Sequence, residues 1–97
     1  MDHGYIWATS SCGELLFRAR EAKGLIQEEL AKLCGVTGVH ISQLERGRRT
    51  PSTHLVVSLA EHLDLDLQRL LRFIYRCDYG DEMADLIFGI TKVPDQE

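Results

Sequence analysis

Three cysteines, four histidines and a polar, cationic run from Thr37 to Arg49 are the groups of this 97-residue chain whose chemistry could be put to use. Spacing argues against metal ligation. Cys12, Cys34 and Cys77 form no Cys-x-x-Cys pair, and His3, His40, His54 and His62 are scattered. Cys34 falls at the end of a helix-like stretch and reads as a small core residue. No nucleophile stands in a motif with a histidine and an acid, and no glycine-rich loop could cradle a phosphate, so the chain reads as a non-enzyme with no metal and no cofactor. The Thr37–Arg49 run is different. The Gln43 amide carries a donor and an acceptor that match the two groups on the major-groove edge of adenine, and Val39 can touch a thymine methyl. Arg46, Arg48 and Arg49 crowd three cations into four positions.

Two short helices are expected to hold these groups. Gln27–Cys34 repeats Leu30, Ala31 and Leu33 at helical spacing, which predicts a helix with one apolar side. Gly35 follows where a helix ends in a left-handed residue, a conformation that glycine adopts without steric penalty. Thr37 is a good N-cap for a second helix with Ile41 and Leu44 inward, closed by Gly47. Ala31 is small enough to let the two helices approach. The unit is a helix-turn-helix.

The chain from about Gly13 to Leu71 resembles the phage repressor/Cro-type helix-turn-helix family of DNA-binding regulators. The resemblance is carried by Arg18-Ala-Arg-Glu-Ala-Lys-Gly-Leu25, Gln27-Glu-Glu-Leu-Ala31, Ile41-Ser-Gln-Leu-Glu-Arg-Gly47 and Pro51-Ser52. It implies an all-α, five-helix DNA-binding bundle and double-stranded DNA as partner. The N-terminal part of the second helix of the motif then enters the major groove, with Thr37, Gly38, Val39, Ser42 and Gln43 toward the bases. Gln27 matches the family's phosphate-clamping glutamine, Arg46, Arg48 and Arg49 are placed for further phosphate contacts, and Arg20 with Glu45 matches a structural ion pair. His40 is open between a groove contact and packing at the helix edge. Two positions depart from the family. Ile26 stands where relatives carry Thr, Ser or Asn, and so either packs as a hydrophobic staple, against Leu30, or marks weakened DNA affinity. Gly38 stands where relatives often place Arg or Gln, which suggests relaxed base readout, close backbone approach or readout of DNA shape.

The remaining elements follow from caps and periodicity. Residues 1–10 lack helical periodicity and read as an arm that packs Trp7 on the body or stays loose. Ser11-Cys-Gly-Glu14 matches a capping box, in which each side chain satisfies the other's free amide, and the first bundle helix buries Leu15, Leu16 and Ala19 before stopping at Gly24. Ser52 caps the fourth helix, with Leu55, Val56, Leu59, Ala60 and Leu63 as its core stripe. Asp64 stands where relatives often have Gly, and Asp66 caps the fifth helix, with Leu67, Leu70, Leu71 and Ile74 inward. The DNA-binding domain thus spans residues 11–76. Residues 77–97 form an extension with a sixth helix from Asp81 to about Phe88, and the fifth helix and this extension together supply the candidate homodimer surface: Phe73, Tyr75, Tyr79, Met83, Leu86, Ile87 and Phe88. Arg69, Arg72 and Arg76 line one helix face, while Asp78, Asp81, Glu82 and Asp85 follow; the two sets are either paired within or between subunits or solvated separately.

A net charge of −4 is unfavourable for a DNA reader, whose affinity leans on phosphate neutralisation. The distribution offsets it, with +1 over residues 1–49 and −5 over residues 50–97. No apolar run approaches the roughly 20 residues that span a membrane, and a cytoplasmic location is expected. The resemblance implies a repressor or autoregulator acting as a homodimer on a pseudo-palindrome. Phage repressor, restriction–modification controller and antitoxin are the contexts left open, with a toxin or an antirepressor as protein partner. A protein-interaction module that kept this fold and lost DNA binding is the alternative from a different class.

Overall fold

The computed structural model describes residues 3–77, and the side chains from Gly4 onward. Six helices and no strand occur among them: α1 (His3–Trp7), α2 (Cys12–Ala22), α3 (Gln27–Cys34), α4 (Gly38–Glu45), α5 (Thr53–Leu63) and α6 (67–77). The all-α bundle expected from the sequence is therefore present. Tyr79, Met83, Leu86, Ile87 and Phe88, and the expected helix from Asp81, lie outside the described residues.

Local chemistry sets the helix ends. The Thr37 hydroxyl accepts from the His40 amide at 3.2 Å, and the Ser52 hydroxyl from the Leu55 amide at 3.2 Å. Asp66 Oδ1 accepts from the Gln68 amide at 3.0 Å at the start of α6. Each satisfies one of the amides that the first turn leaves without an intrahelical partner. Gly35 ends α3 at φ 74°, and Asp64 ends α5 at φ 62°, the left-handed geometry that aspartate tolerates better than most residues. The Ser11 box is half made. Ser11 Oγ accepts from the Glu14 amide at 3.2 Å, but the Glu14 carboxylate turns to Arg18 Nε instead, also at 3.2 Å, and the Ser11 amide donates to Thr9 Oγ1.

The core gathers Leu15, Leu16 and Ala19 of α2, Leu30 and Ala31 of α3, Ile41 and Leu44 of α4, and the five-residue stripe of α5, with Leu65, Leu70 and Ile74 beside them. α4 packs on α3 and α2, and α5 on α3. Gly13 is buried where α2 meets the end of α4, and a Cβ there would run into the carbonyl oxygens of Leu44 and Glu45. Leu33, expected inward, is 49% exposed; Cys34 and Val36 pack against the core instead.

The N-terminal segment is also more structured than its sequence suggests. It forms the short helix α1, whose Ile6 is only 3% exposed within the core. Arg18 explains why so short a helix is held. Its Nη1 donates to the carbonyls of Tyr5 and Ala8, each at 2.8 Å, and its guanidinium lies 4.7 Å from the Tyr5 ring centroid. The last carbonyls of a helix lack intrahelical donors, and a cation supplies both the donor and the charge that the C-terminal end favours. Trp7 then meets Phe73 of α6 edge to face at 6.0 Å, with the Arg69 guanidinium 4.3 Å from its ring centroid.

Candidate nucleic-acid interface

The site is built on one buried carboxylate. Glu45, at the end of α4, accepts from Arg20 Nε at 2.6 Å, from Arg20 Nη2 at 3.1 Å and from Gln27 Nε2 at 2.9 Å. Arg20 Nη1 donates to the Leu25 carbonyl at 2.7 Å. The ionic side chains are only 8% and 6% exposed. The pair thus joins α2, the turn before α3, the first residue of α3 and the last of α4. The hydrogen bond to Glu45 raises the Arg20 pKa above its ordinary value against the opposing effect of burial, so the cation persists at any working pH. An isolated buried charge would be costly; the bidentate geometry and the extra amide donor offset that cost.

With α4 clamped at its C-terminal end, its outer face is set. Val39 is 66% exposed, Ser42 and Gln43 are half-buried, and Arg46, Arg48 and Arg49 are exposed just beyond. The Arg48 amide donates to the Gln43 carbonyl at 2.9 Å, and Arg49 Nε donates to Gln43 Oε1 at 3.0 Å, which folds the loop back against the helix. Thr37 is committed to capping through its oxygen, and His40 is half-buried at the helix edge. Gly38 carries no side chain, and a Cβ there would stand 3.1 Å from Glu28 Cγ, a tight contact that the Glu28 side chain would have to yield to. The first turn of α4 therefore presents backbone and Val39 rather than a long polar arm.

One residue differs from the sequence reading. Ile26 makes no staple: it is 58% exposed and offers no side-chain cap. Its amide is satisfied from the other direction, by Glu29 Oε1 at 3.0 Å, the surviving half of a capping box. Gln27 does not stand alone at the head of α3, since its amide is tied to Glu45. The Gly13 contact and the Glu28–Gly38 contact were missed, because each joins residues far apart in the chain and leaves no local pattern. Of the thiols, Cys34 is half-buried and burial pushes its pKa up, which suits a packing role. Among the described residues, no three His, Cys, Asp or Glu side chains gather as a metal site, and no helix is long and apolar enough to cross a membrane.

An outward-facing helix, locked at its far end across a tight turn to a second helix and flanked by exposed arginines, defines a helix-turn-helix head. The family model described as helix-turn-helix matches residues 16–70, more than half of the chain, and the protein belongs to that family, in its Cro/C1-type branch. Among curated proteins it is 39% identical over 61 residues to the HTH-type transcriptional regulator y4dL of Sinorhizobium fredii, covering 63% of this chain and 31% of that one. It is 38% identical over 58 residues to the ImmF control region 10 kDa protein of Bacillus phage phi105, covering 60% of this chain and 64% of that one. It is 41% identical over 51 residues to the HTH-type transcriptional regulator y4dJ of Sinorhizobium fredii, covering 53% and 66%. The chain thus spans less than two thirds of the length of each. No solved structure matches it. The matched family is thus a helix-turn-helix family, and two of the three relatives carry the name HTH-type transcriptional regulator.

Proposed function

We propose that the chain is a sequence-specific repressor or autoregulator that binds a pseudo-palindromic DNA site as a homodimer and works by binding rather than by catalysis. The observation that carries the reading is the Glu45 cluster. It fixes the angle of α4 on α2 and α3 and leaves Val39, Ser42, Gln43 and the three arginines on one edge. In this reading the bases are met by Thr37, the Gly38 backbone, Val39, Ser42 and Gln43, and phosphates by Gln27, Arg46, Arg48 and Arg49. Gln27 has a second amide hydrogen beyond the one given to Glu45, so the clamp and the buried contact are compatible. Similarity to a phage control-region protein favours repression.

One head reads only a few base pairs, and two heads must lie about one DNA turn apart, roughly 34 Å. We assign the dimer contact to Phe73 with the apolar residues of the segment from Tyr79 to Phe88. Burying four such side chains supplies on the order of 6–12 kcal/mol before association costs. Truncation after Arg76, followed by light scattering and a DNA titration, tests this. A folded monomer with much weaker operator binding is expected, and a truncated protein that stays a tight dimer removes the extension from the interface. A mobility shift at low salt with genomic fragments tests the DNA reading. Retarded fragments sharing a pseudo-palindrome support it, whereas no retardation at any salt would favour a protein-interaction module.

A further inference from the structure

The hydrogen bond from Arg49 Nε to Gln43 Oε1 fixes the direction of an amide. A guanidinium carries only donors, so the atom it meets must be the amide oxygen. Without such a partner the end of a glutamine turns over readily, because its terminal torsion is broad and roughly two-fold. In one orientation the side chain offers its oxygen to a group in front of it, and in the other its nitrogen. The choice decides which base edge is satisfied. In the major groove cytosine presents an amino donor, guanine two acceptors, thymine one acceptor, and adenine one of each.

Arg49 lies six residues beyond Gln43, past the C-terminal end of α4. The loop that carries it is folded onto the last turn of the helix by the bond from the Arg48 amide to the Gln43 carbonyl. The amide oxygen is therefore drawn toward the loop, away from the helix N-terminus that leads into the groove.

We propose that Arg49 is a specificity-determining residue: it holds Gln43 so that Nε2 is the group offered to base edges, and the position read by Gln43 must present an acceptor and disfavours cytosine. The proposal rests on the DNA reading of α4 given above and adds to it the chemical class of the base that Gln43 meets. Arg49 acts through Gln43 and is a positioning residue, whatever phosphate contact it also makes. The bond is solvent-exposed, so the bias it imposes on the amide is of the order of two- to fivefold.

Fluorescence anisotropy on four duplexes that differ at one base pair tests it, the pair being the one whose preference Gln43→Ala flattens. Wild-type protein should bind weakest where cytosine faces Gln43. Arg49→Ala should weaken all four duplexes by a shared factor and, in addition, raise cytosine relative to the others by about two- to fivefold. In the Gln43→Ala background, Arg49→Ala should produce the shared factor alone. Uniform weakening with unchanged ranking would make Arg49 a phosphate contact only and overturn the proposal. If Gln43→Ala changes no base preference at any position, the DNA reading of α4 fails and the proposal falls with it. Circular dichroism of each variant separates these outcomes from misfolding.

Discussion

Glu45→Ala is expected to be the most damaging single change to the head, for reasons that can be counted. It removes the acceptor for three donors at once, Arg20 Nε, Arg20 Nη2 and Gln27 Nε2. The Arg20 side chain is 8% exposed, so its charge would be left in place without a counterion, although Nη1 keeps the Leu25 carbonyl. Breaking a buried pair in this way costs ~3–5 kcal/mol, against a total of about 5–15 kcal/mol for a domain. At roughly 4–8 °C per kcal/mol for a domain of this size, the melting temperature should fall by about 12 °C or more. Arg20→Met should cost less than Glu45→Ala, because Glu45 then keeps Gln27 as a donor. Arg20→Met with Glu45→Ala should cost less than the two single losses added together, since neither charge is then left buried without its partner. Urea denaturation followed by far-ultraviolet circular dichroism gives all four corners of the cycle, with unchanged m-values as the check on two-state behaviour. A coupling energy within about 0.5 kcal/mol of zero would refute the view that this cluster sets the angle of α4.

Three further changes probe the rest of the frame. Gly13→Ala should gain up to about 1 kcal/mol of helix propensity, yet lose more than that by driving a methyl into the Leu44 and Glu45 carbonyls, so a net destabilisation of ~1–2 kcal/mol is expected in the same urea assay; a stabilised variant would show that α2 and α4 do not meet so closely. Ile6→Ala should cost ~2–4 kcal/mol and shift the emission of Trp7, the sole tryptophan, whereas a loose arm would show neither effect. The Cys34 thiol, raised from its ordinary 9.0 by burial, binds its proton more tightly in the folded than in the unfolded chain. Its contribution is therefore full below pH 9.0 and lost as pH rises through the folded value, so stability should decline above pH 9.0 and Cys34→Ala should lessen that decline in a pH series of urea melts.

What could be read from the sequence was what local chemistry decides. Thr37, Ser52 and Asp66 were legible as caps because a cap acts within three residues, and Gly35 and Asp64 because backbone geometry is a property of the residue itself. The buried pair Arg20–Glu45 was legible through family resemblance, since its members are 25 residues apart and no spacing rule joins them. What was missed depends on contacts between distant segments. α1 has no periodicity to announce it, and Arg18 holds its end from 13 and 10 residues away. Leu33 looked inward by spacing, but Leu30 and Ala31 already fill the buried side of α3 and Leu33 faces out. Ile26 looked like a staple, yet Glu29 satisfies its amide and the side chain stays in solvent. The orientation of the Gln43 amide had no sequence signal at all, because it is set by one side-chain bond across a loop.

The central claim, that α4 faces bases while the loop after it faces phosphates, is tested most directly by salt-dependent anisotropy titrations of wild-type protein, Gln43→Ala and Arg48→Ala on the operator and its single-position variants. Gln43→Ala should relax preference at one position per half-site and leave the salt slope nearly unchanged. Arg48→Ala should weaken every sequence alike and flatten the slope of log affinity against log salt by about 0.9 per subunit. If neither change alters binding, or if Arg48→Ala changes base preference while Gln43→Ala changes only the salt slope, the orientation of the head on DNA is contradicted.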